Sequence, residues 1–340
     1  TLRKLGRGLE ARTTIATFTT RATVVGVTTR TTIATFTTRA TVVGIAARTT
    51  FATLAWADWT GLGGAAPAWW LLPMAVALAV GGVDELAGLF ARRGIALPAW
   101  LLRPAVVGVV LSAAAAAGSF AATFSASSPA AAMGWPAAAV AVTLIALCSF
   151  EIAGYRPGGG AVERLAAGVF SVAFVGLPLA FIVSLRLLCV ENLGAEPPHR
   201  GHLGMLPLVS LVAVTKAGDV AAYIVGSLAG RHRMAPILSP GKSWEGAAAS
   251  LAGSLLAAWG VLEHFRAAGQ HGPWGGWIVY GGLVGLAGMV GDLAESLVKR
   301  ECGTKDSGRS LGGLGGILDL VDSLLFAAPV AWLLWVAGMG

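Results

Sequence analysis

From residue 67 to the C-terminal end, apolar runs of spanning length alternate with short polar connections. A helix rises 1.5 Å per residue, so about 20 residues cross the hydrocarbon of a bilayer. The pattern predicts eight helices, over about 68–90, 104–122, 135–153, 166–189, 205–229, 247–265, 276–299 and 317–338. The expected fold class is all-α, a polytopic transmembrane helical bundle, with a ninth helix near residues 41–60 as an alternative.

The connections test that count independently. Alternate loops hold Arg92, Arg93, Arg103, Arg156, Arg164, Arg231, Arg233, Lys242, Lys299, Arg300, Lys305 and Arg309, whereas the intervening loops hold only Arg200 and Arg266. Twelve against two, in strict alternation, is the signature of positively charged cytoplasmic loops. It places the first set in the cytoplasm and the C-terminus outside, as expected for a multi-pass protein of the cell (cytoplasmic) membrane.

Composition agrees: 56% of residues are apolar and 12% charged, against about a quarter charged in soluble domains. The net charge of +7 belongs wholly to residues 1–50, which hold eight basic groups and one acid. The remaining residues balance 16 bases against 16 acids. No basic stripe with interleaved aromatics appears there, so nucleic acid is not an expected partner. In the leader, TTIATFTTRATVVG at 13–26 recurs letter for letter at 31–44. Two copies are too few for a solenoid. The expectation is a poorly ordered, low-complexity extension over residues 1–60, preceding a membrane domain over 67–340. Cys148, Cys189 and Cys302 form no CxxC pair and receive no role.

Charges inside the apolar runs carry the chemistry. Lys216, Asp219 and Tyr223 fall at i, i+3 and i+7, on one face of the fifth helix. Each such charge costs on the order of 2.5–3.5 kcal/mol at mid-bilayer, so a partner or a wet cavity must face it. A Lys–Asp pair that merely joins two helices is the alternative. Asp292, Ser296 and Lys299 share a face of the seventh helix, and Asp319 and Asp322 are i, i+3 neighbours in the eighth. Two acids on one face repel unless one is protonated or a divalent cation neutralises both. Oxygen-only ligands favour Mg²⁺, which also binds substrate phosphates. Between these helices runs KRECGTKDSGRSLGGLGG, residues 299–316, with four cationic groups and six glycines. Glycines let backbone N–H groups approach phosphate, and a helix N-terminus favours anions. No GxxxxGK[ST] motif is present. Acids for a metal and bases for phosphate point to phosphoryl or nucleotidyl transfer.

The stretch SLVKRECGTKDSGRSLGGLGGILDLVD, Ser296–Asp322, resembles the signature of the phosphatidate cytidylyltransferase family. It has the Ser-x-x-Lys-Arg opening, Lys305-Asp306, Gly315-Gly316 and Asp319-x-x-Asp322, preceded by Gly291-Asp292. A second block agrees: Asp219-x-x-Ala-Tyr223, then Ser239-Pro240-x-Lys242-Ser243-x-Glu245-Gly246. Leu314 and Leu320 stand where family members often carry His and Arg, and Arg309 where some carry His.

The resemblance implies attack of the phosphatidate phosphate on the α-phosphorus of CTP, giving CDP-diacylglycerol and pyrophosphate. Asp292 and Asp319 are then expected to bind Mg²⁺, with room for a second cation, and Asp322 to be a further ligand or a neighbouring acid. Lys305, Lys299, Arg300 and Arg309 would neutralise phosphate, and Asp306 would orient Lys305 or touch the metal. Lys242, Glu245, Asp219, Tyr223, Gly315 and Gly316 would line the nucleotide or headgroup side. Ser243 reads equally as a helix N-cap. Expected partners are CTP, phosphatidate and the bilayer, with a homodimer left open. A transporter, a CTP-dependent enzyme acting on another lipid phosphate or polyprenol, and a non-catalytic paralogue remain alternatives.

Overall fold

Eight helices follow the predicted spans in order: α1 Leu71–Arg92, α2 Ala99–Ala117, α3 Gly134–Ala153, α4 Ala161–Asn192, α5 Arg200–Ala229, α6 Trp244–Ala267, α7 Gly276–Glu301 and α8 Ile317–Ala337. They come from a computed structural model that describes residues 70–117, 133–192, 200–267, 272–304 and 316–338. The leader, with its repeat, therefore lies outside the described residues, and so does much of the glycine-rich loop. Seven of the helices are long and apolar enough to cross a membrane; the apolar run of α2, Ala99–Ala115, is shorter. The chain is a multi-pass membrane protein.

Two differences from the predicted elements have clear causes. Helix α2 begins five residues before the expected 104, because the Pro98 carbonyl already accepts the amides of Leu101 and Leu102. Pro104 then falls inside the second turn rather than opening the helix. Between α5 and α6 the chain forms an antiparallel hairpin, β1 Arg233–Ala235 with β2 Ser239–Ser243, pairing Arg233 with Ser243 and Ala235 with Ser239. Three- and five-residue strands leave no usable alternation in a sequence. At its end Ser243 Oγ accepts the Gly246 amide at 3.2 Å, so Ser243 is an N-cap of α6.

Helix α7 shows how the bundle sorts its residues. Leu283, Leu286, Val290 and Leu297 recur at helical spacing and are exposed, as a lipid-facing stripe must be. The opposite face, Gly281, Val284, Gly285, Gly288, Gly291 and Glu295, is buried. The inward face is thus mostly glycine, with Tyr280, Val284 and Glu295 set among the glycines. Close approach of helices, rather than water exclusion, drives packing within a membrane, and small residues permit it.

Helix α8 packs against α7, α4, α5 and α1. Its inward side carries Leu318, Leu325, Ala328, Ala331 and Trp335, all nearly inaccessible. At one end of the bundle, connections far apart in sequence are tied together. Arg93, in the α1–α2 turn, bonds to the carboxylate and the carbonyl of Glu301 at the end of α7. Arg300 Nε donates to the Leu238 carbonyl of the hairpin at 3.1 Å. Three of the connections that the sequence assigns to one side of the membrane therefore share one end of the bundle.

Candidate active site

The site forms where α5, α7 and α8 meet. On α5, Lys216 Nζ donates to Asp219 Oδ2 at 2.9 Å and to Ser323 Oγ of α8 at 3.0 Å. Ser323 Oγ in turn donates to Asp219 Oδ2 at 3.0 Å, closing a three-membered ring between the helices. The face predicted from i, i+3 spacing is present, and its pair does join two helices.

Asp322 precedes Ser323 and lies in the field of Asp292, Lys216 and Asp219. Its approach to α7 depends on Gly291: a Cβ there would stand 2.4 Å from the Asp322 carbonyl oxygen. Asp292 follows that glycine, and Lys242 Nζ of the hairpin lies 2.8 Å from its Oδ2. Asp219, Asp292 and Asp322 thus approach one another from three helices.

A second cluster lies one turn toward the start of α8. Lys299 Nζ is 2.5 Å from Asp319 Oδ1. It also lies 3.2 Å from Glu295 Oε1, close enough to neutralise that acid although not aligned as a hydrogen bond. Glu295 feels both Asp319 and Asp322, so the two clusters form one continuous band. The structure pairs Asp292 and Asp319, the predicted metal ligands, with separate lysines, and Asp322 lies in the field of Asp292.

The first amides of α8 are already occupied. Gly316 N–H donates to Asp319 Oδ2 at 2.9 Å, and Ile317 and Leu318 N–H donate to Glu85 of α1 at 2.8 and 3.0 Å. The expectation that this helix N-terminus cradles phosphate therefore meets a carboxylate already in place, and Gly316 serves as the N-cap position of α8.

A cavity of about 250 Å³ opens beside the acids, lined by Asp219 and Tyr223 of α5, Met234 and Lys242 of the hairpin, Gly246 and Ser250 of α6, and Met289 and Asp292 of α7. Tyr223 is 77% exposed at its rim. Glu245 is engaged elsewhere. Its carboxylate accepts the Arg231 and His232 amides and pairs with the His232 ring at 2.6 Å, fastening the hairpin to α6. Arg300 likewise holds the hairpin carbonyl. Lys305, Asp306, Arg309 and Gly315 lie outside the described residues. Cys302, just past α7, is buried; burial pushes its thiol up, opposed by Arg93, so it stays a protonated bystander.

Asp219, Asp292, Glu295, Asp319 and Asp322 are five acids facing three lysines, Lys216, Lys242 and Lys299. An all-oxygen donor set of this kind suits a hard divalent cation. Among the described residues, no three acids, histidines or cysteines already stand at metal-binding spacing. The acids rest on lysines, and those ion pairs must rearrange to admit a cation. Glu85, Glu295 and Ser323 were not singled out as site residues by sequence reasoning. Glu85 leaves a faint trace there, an acid one turn after Gly81-Gly82 in an apolar run.

Fold and site together define a polytopic membrane protein with a cavity of acids and lysines at one end of its bundle. The chain belongs to the cytidylyltransferase family, whose profile matches residues 37–337. It is 41% identical over 174 residues to a phosphatidate cytidylyltransferase of Brucella suis, covering 49% of this chain and 55% of that protein. It is 33% identical over 196 residues to one of Synechocystis, covering 52% and 64%. With one of Mycobacterium leprae it shares 45% over 122 residues, 36% of this chain and 38% of the relative. The chain thus spans about half the length of the first of these curated relatives.

Proposed function

We propose that this protein transfers the cytidylyl group of CTP to phosphatidate, forming CDP-diacylglycerol and pyrophosphate at the cytoplasmic face of the cell membrane. The observation that carries the reading is the cavity that Asp219, Lys242 and Asp292 line from α5, the hairpin and α7, with Asp322 of α8 in the field of both acids. The relatives' names supply the substrates.

A phosphatidate oxygen forms the new bond to the α-phosphorus of CTP, and the bond from that phosphorus to the α–β bridging oxygen breaks, releasing pyrophosphate. The attacking phosphate is already anionic at pH 7, with a second pKa of about 6 for phosphomonoesters, so no general base is required. The protein's work is placement and charge neutralisation. Asp292 and Asp322, with Asp319 one turn away and Asp219 opposite, are the groups to hold Mg²⁺, which would neutralise charge gathering on the triphosphate. Lys242, released from Asp292, then faces phosphate in the cavity. Lys299 and the loop cations Lys305 and Arg309 neutralise the leaving pyrophosphate, with Asp306 orienting Lys305. Tyr223, exposed at the cavity rim, is a group to meet the substrate as it enters.

Purified protein given CTP and Mg²⁺ is expected to release pyrophosphate only when phosphatidate is added. A substrate panel separates the neighbouring chemistry: release with a polyprenyl phosphate but not with phosphatidate would replace the substrate, and release with neither would end the transfer reading.

A further inference from the structure

The structure assigns Glu85 as a positioning residue for the acids of α8, acting through the amides that open that helix; the assignment rests on the cation-dependent reading of the site above. Glu85 is 7% exposed, within the apolar span α1, and its two oxygens take different amides, Oε1 from Ile317 and Oε2 from Leu318. Its helix is shaped to allow this. A Cβ on Gly81 would stand 2.1 Å from Ile317 Cδ1, whereas one on Gly82 would press first on Val175 of α4, at 3.1 Å. Gly81 leaves room for the first turn of α8 against α1, and the acid one turn later reaches the amides.

A neutral cap would suffice to start a helix. Serine or asparagine satisfies an N–H without burying a formal charge, whereas burying a carboxylate costs several kcal/mol before its partners offset it. The carboxylate adds rigidity. One hydrogen bond leaves a helix free to turn about it, whereas two bonds to adjacent amides fix both its height and its rotation. A helical side chain ends about 5–6 Å from the axis, so turning α8 by roughly 20° carries a carboxylate about 2 Å. Misplacements near 1 Å already cost on the order of 100-fold in rate. Asp319 is the third residue of α8 and Asp322 the sixth, so both move with that rotation. With its own amides held by Glu85, α8 also needs no phosphate at its N-terminus. Triphosphate recognition is left to lysines and the glycine-rich loop.

The test uses the full chain, purified in detergent, as wild type, Glu85→Gln and Glu85→Asp. Mn²⁺ binding followed by electron paramagnetic resonance reads the acids without requiring turnover. Thermal melting reads folding, and CTP turnover against Mg²⁺ reads catalysis. Glu85→Gln keeps one acceptor for the two amides. Its Mn²⁺ dissociation constant is expected to rise about 10- to 100-fold, the usual cost of losing a group that orients a metal ligand. kcat should fall while KM for CTP changes less than about twofold. Glu85→Asp keeps the charge on a shorter arm and is expected to lie between the two; it carries the test should Glu85→Gln not fold. Folded variants with wild-type Mn²⁺ affinity would overturn the assignment. A wild type that binds Mn²⁺ and responds to these variants, yet turns over no CTP, would sink the transfer reading and leave Glu85 in its role. A wild type that binds no Mn²⁺ would overturn both.

Discussion

Specific groups face the acids of the band: Lys216 and the Ser323 hydroxyl at Asp219, Lys242 at Asp292 and Lys299 at Asp319. Removing the partner is worse than removing both, since a lone buried charge keeps its desolvation cost. Lys216→Met is therefore expected to be more harmful than Lys216→Met combined with Asp219→Asn. Melting of the purified variants reads this; equal midpoints would contradict the ring drawn through Ser323. Ser323→Ala removes a hydroxyl that accepts from Lys216 and donates to Asp219. It is expected to cost about 0.5–1.5 kcal/mol, the net worth of a hydrogen bond, because Lys216 and Asp219 keep each other. Lys216, Asp219, Asp292, Asp319 and Asp322 were legible in the sequence because charges in apolar runs stand out against a high insertion cost. Their partners were not. Lys242 meets Asp292 only through a hairpin, and Ser323 is an ordinary letter until tertiary packing brings α5 and α8 together.

Helix boundaries and contacts belong to the next scale. All eight spans were readable from apolar length, and all eight start and stop within about five residues of the prediction made by that rule, α2 being offset by five at both ends. The hairpin escaped because two very short strands carry no period, although its Ser239-Pro240-x-Lys242-Ser243 block had marked the place as chemically important. What decides the site at this scale is how closely α7 and α8 approach. Gly291→Ala would push a methyl toward the Asp322 carbonyl, 2.4 Å from where its Cβ must lie. Overpacking of this kind costs about 1–3 kcal/mol. The variant is expected to melt lower and to lose most CTP turnover, because the shift separates Asp292 from Asp322. Gly282→Ala, a substitution with nothing within 4 Å of its Cβ, should leave both unchanged. Similar losses in the two variants would show that glycine content, and not this contact, matters.

For the whole molecule, the alternation of basic loops and the ties Arg93–Glu301 and Arg300–Leu238 say that the hairpin and the end of α7 share a side of the membrane. After replacement of Cys148, Cys189 and Cys302 by serine, Ile237→Cys is expected to react with an impermeant maleimide only in inside-out vesicles. Gly272→Cys, at the opposite end of α6 and α7, should react only in right-side-out ones. Labelling of both from one side would overturn the topology. The sequence could supply this arrangement because loop charge is recorded in one dimension. It could not supply the cavity, since the side chains of α5, the hairpin and α7 share it only after folding. The central claim is that the acids of α7 and α8 serve cation-dependent nucleotidyl transfer to a lipid phosphate. Its most direct test follows the α-phosphorus of CTP labelled with ³²P into the organic phase, using purified wild type and Asp292→Asn. The account predicts label in a lipid-extractable product that requires both phosphatidate and Mg²⁺ and falls at least about 100-fold in the variant, the scale of losing an electrostatic group in a transition state. Equal labelling by Asp292→Asn, or label that stays in the aqueous phase with the wild type, would contradict it.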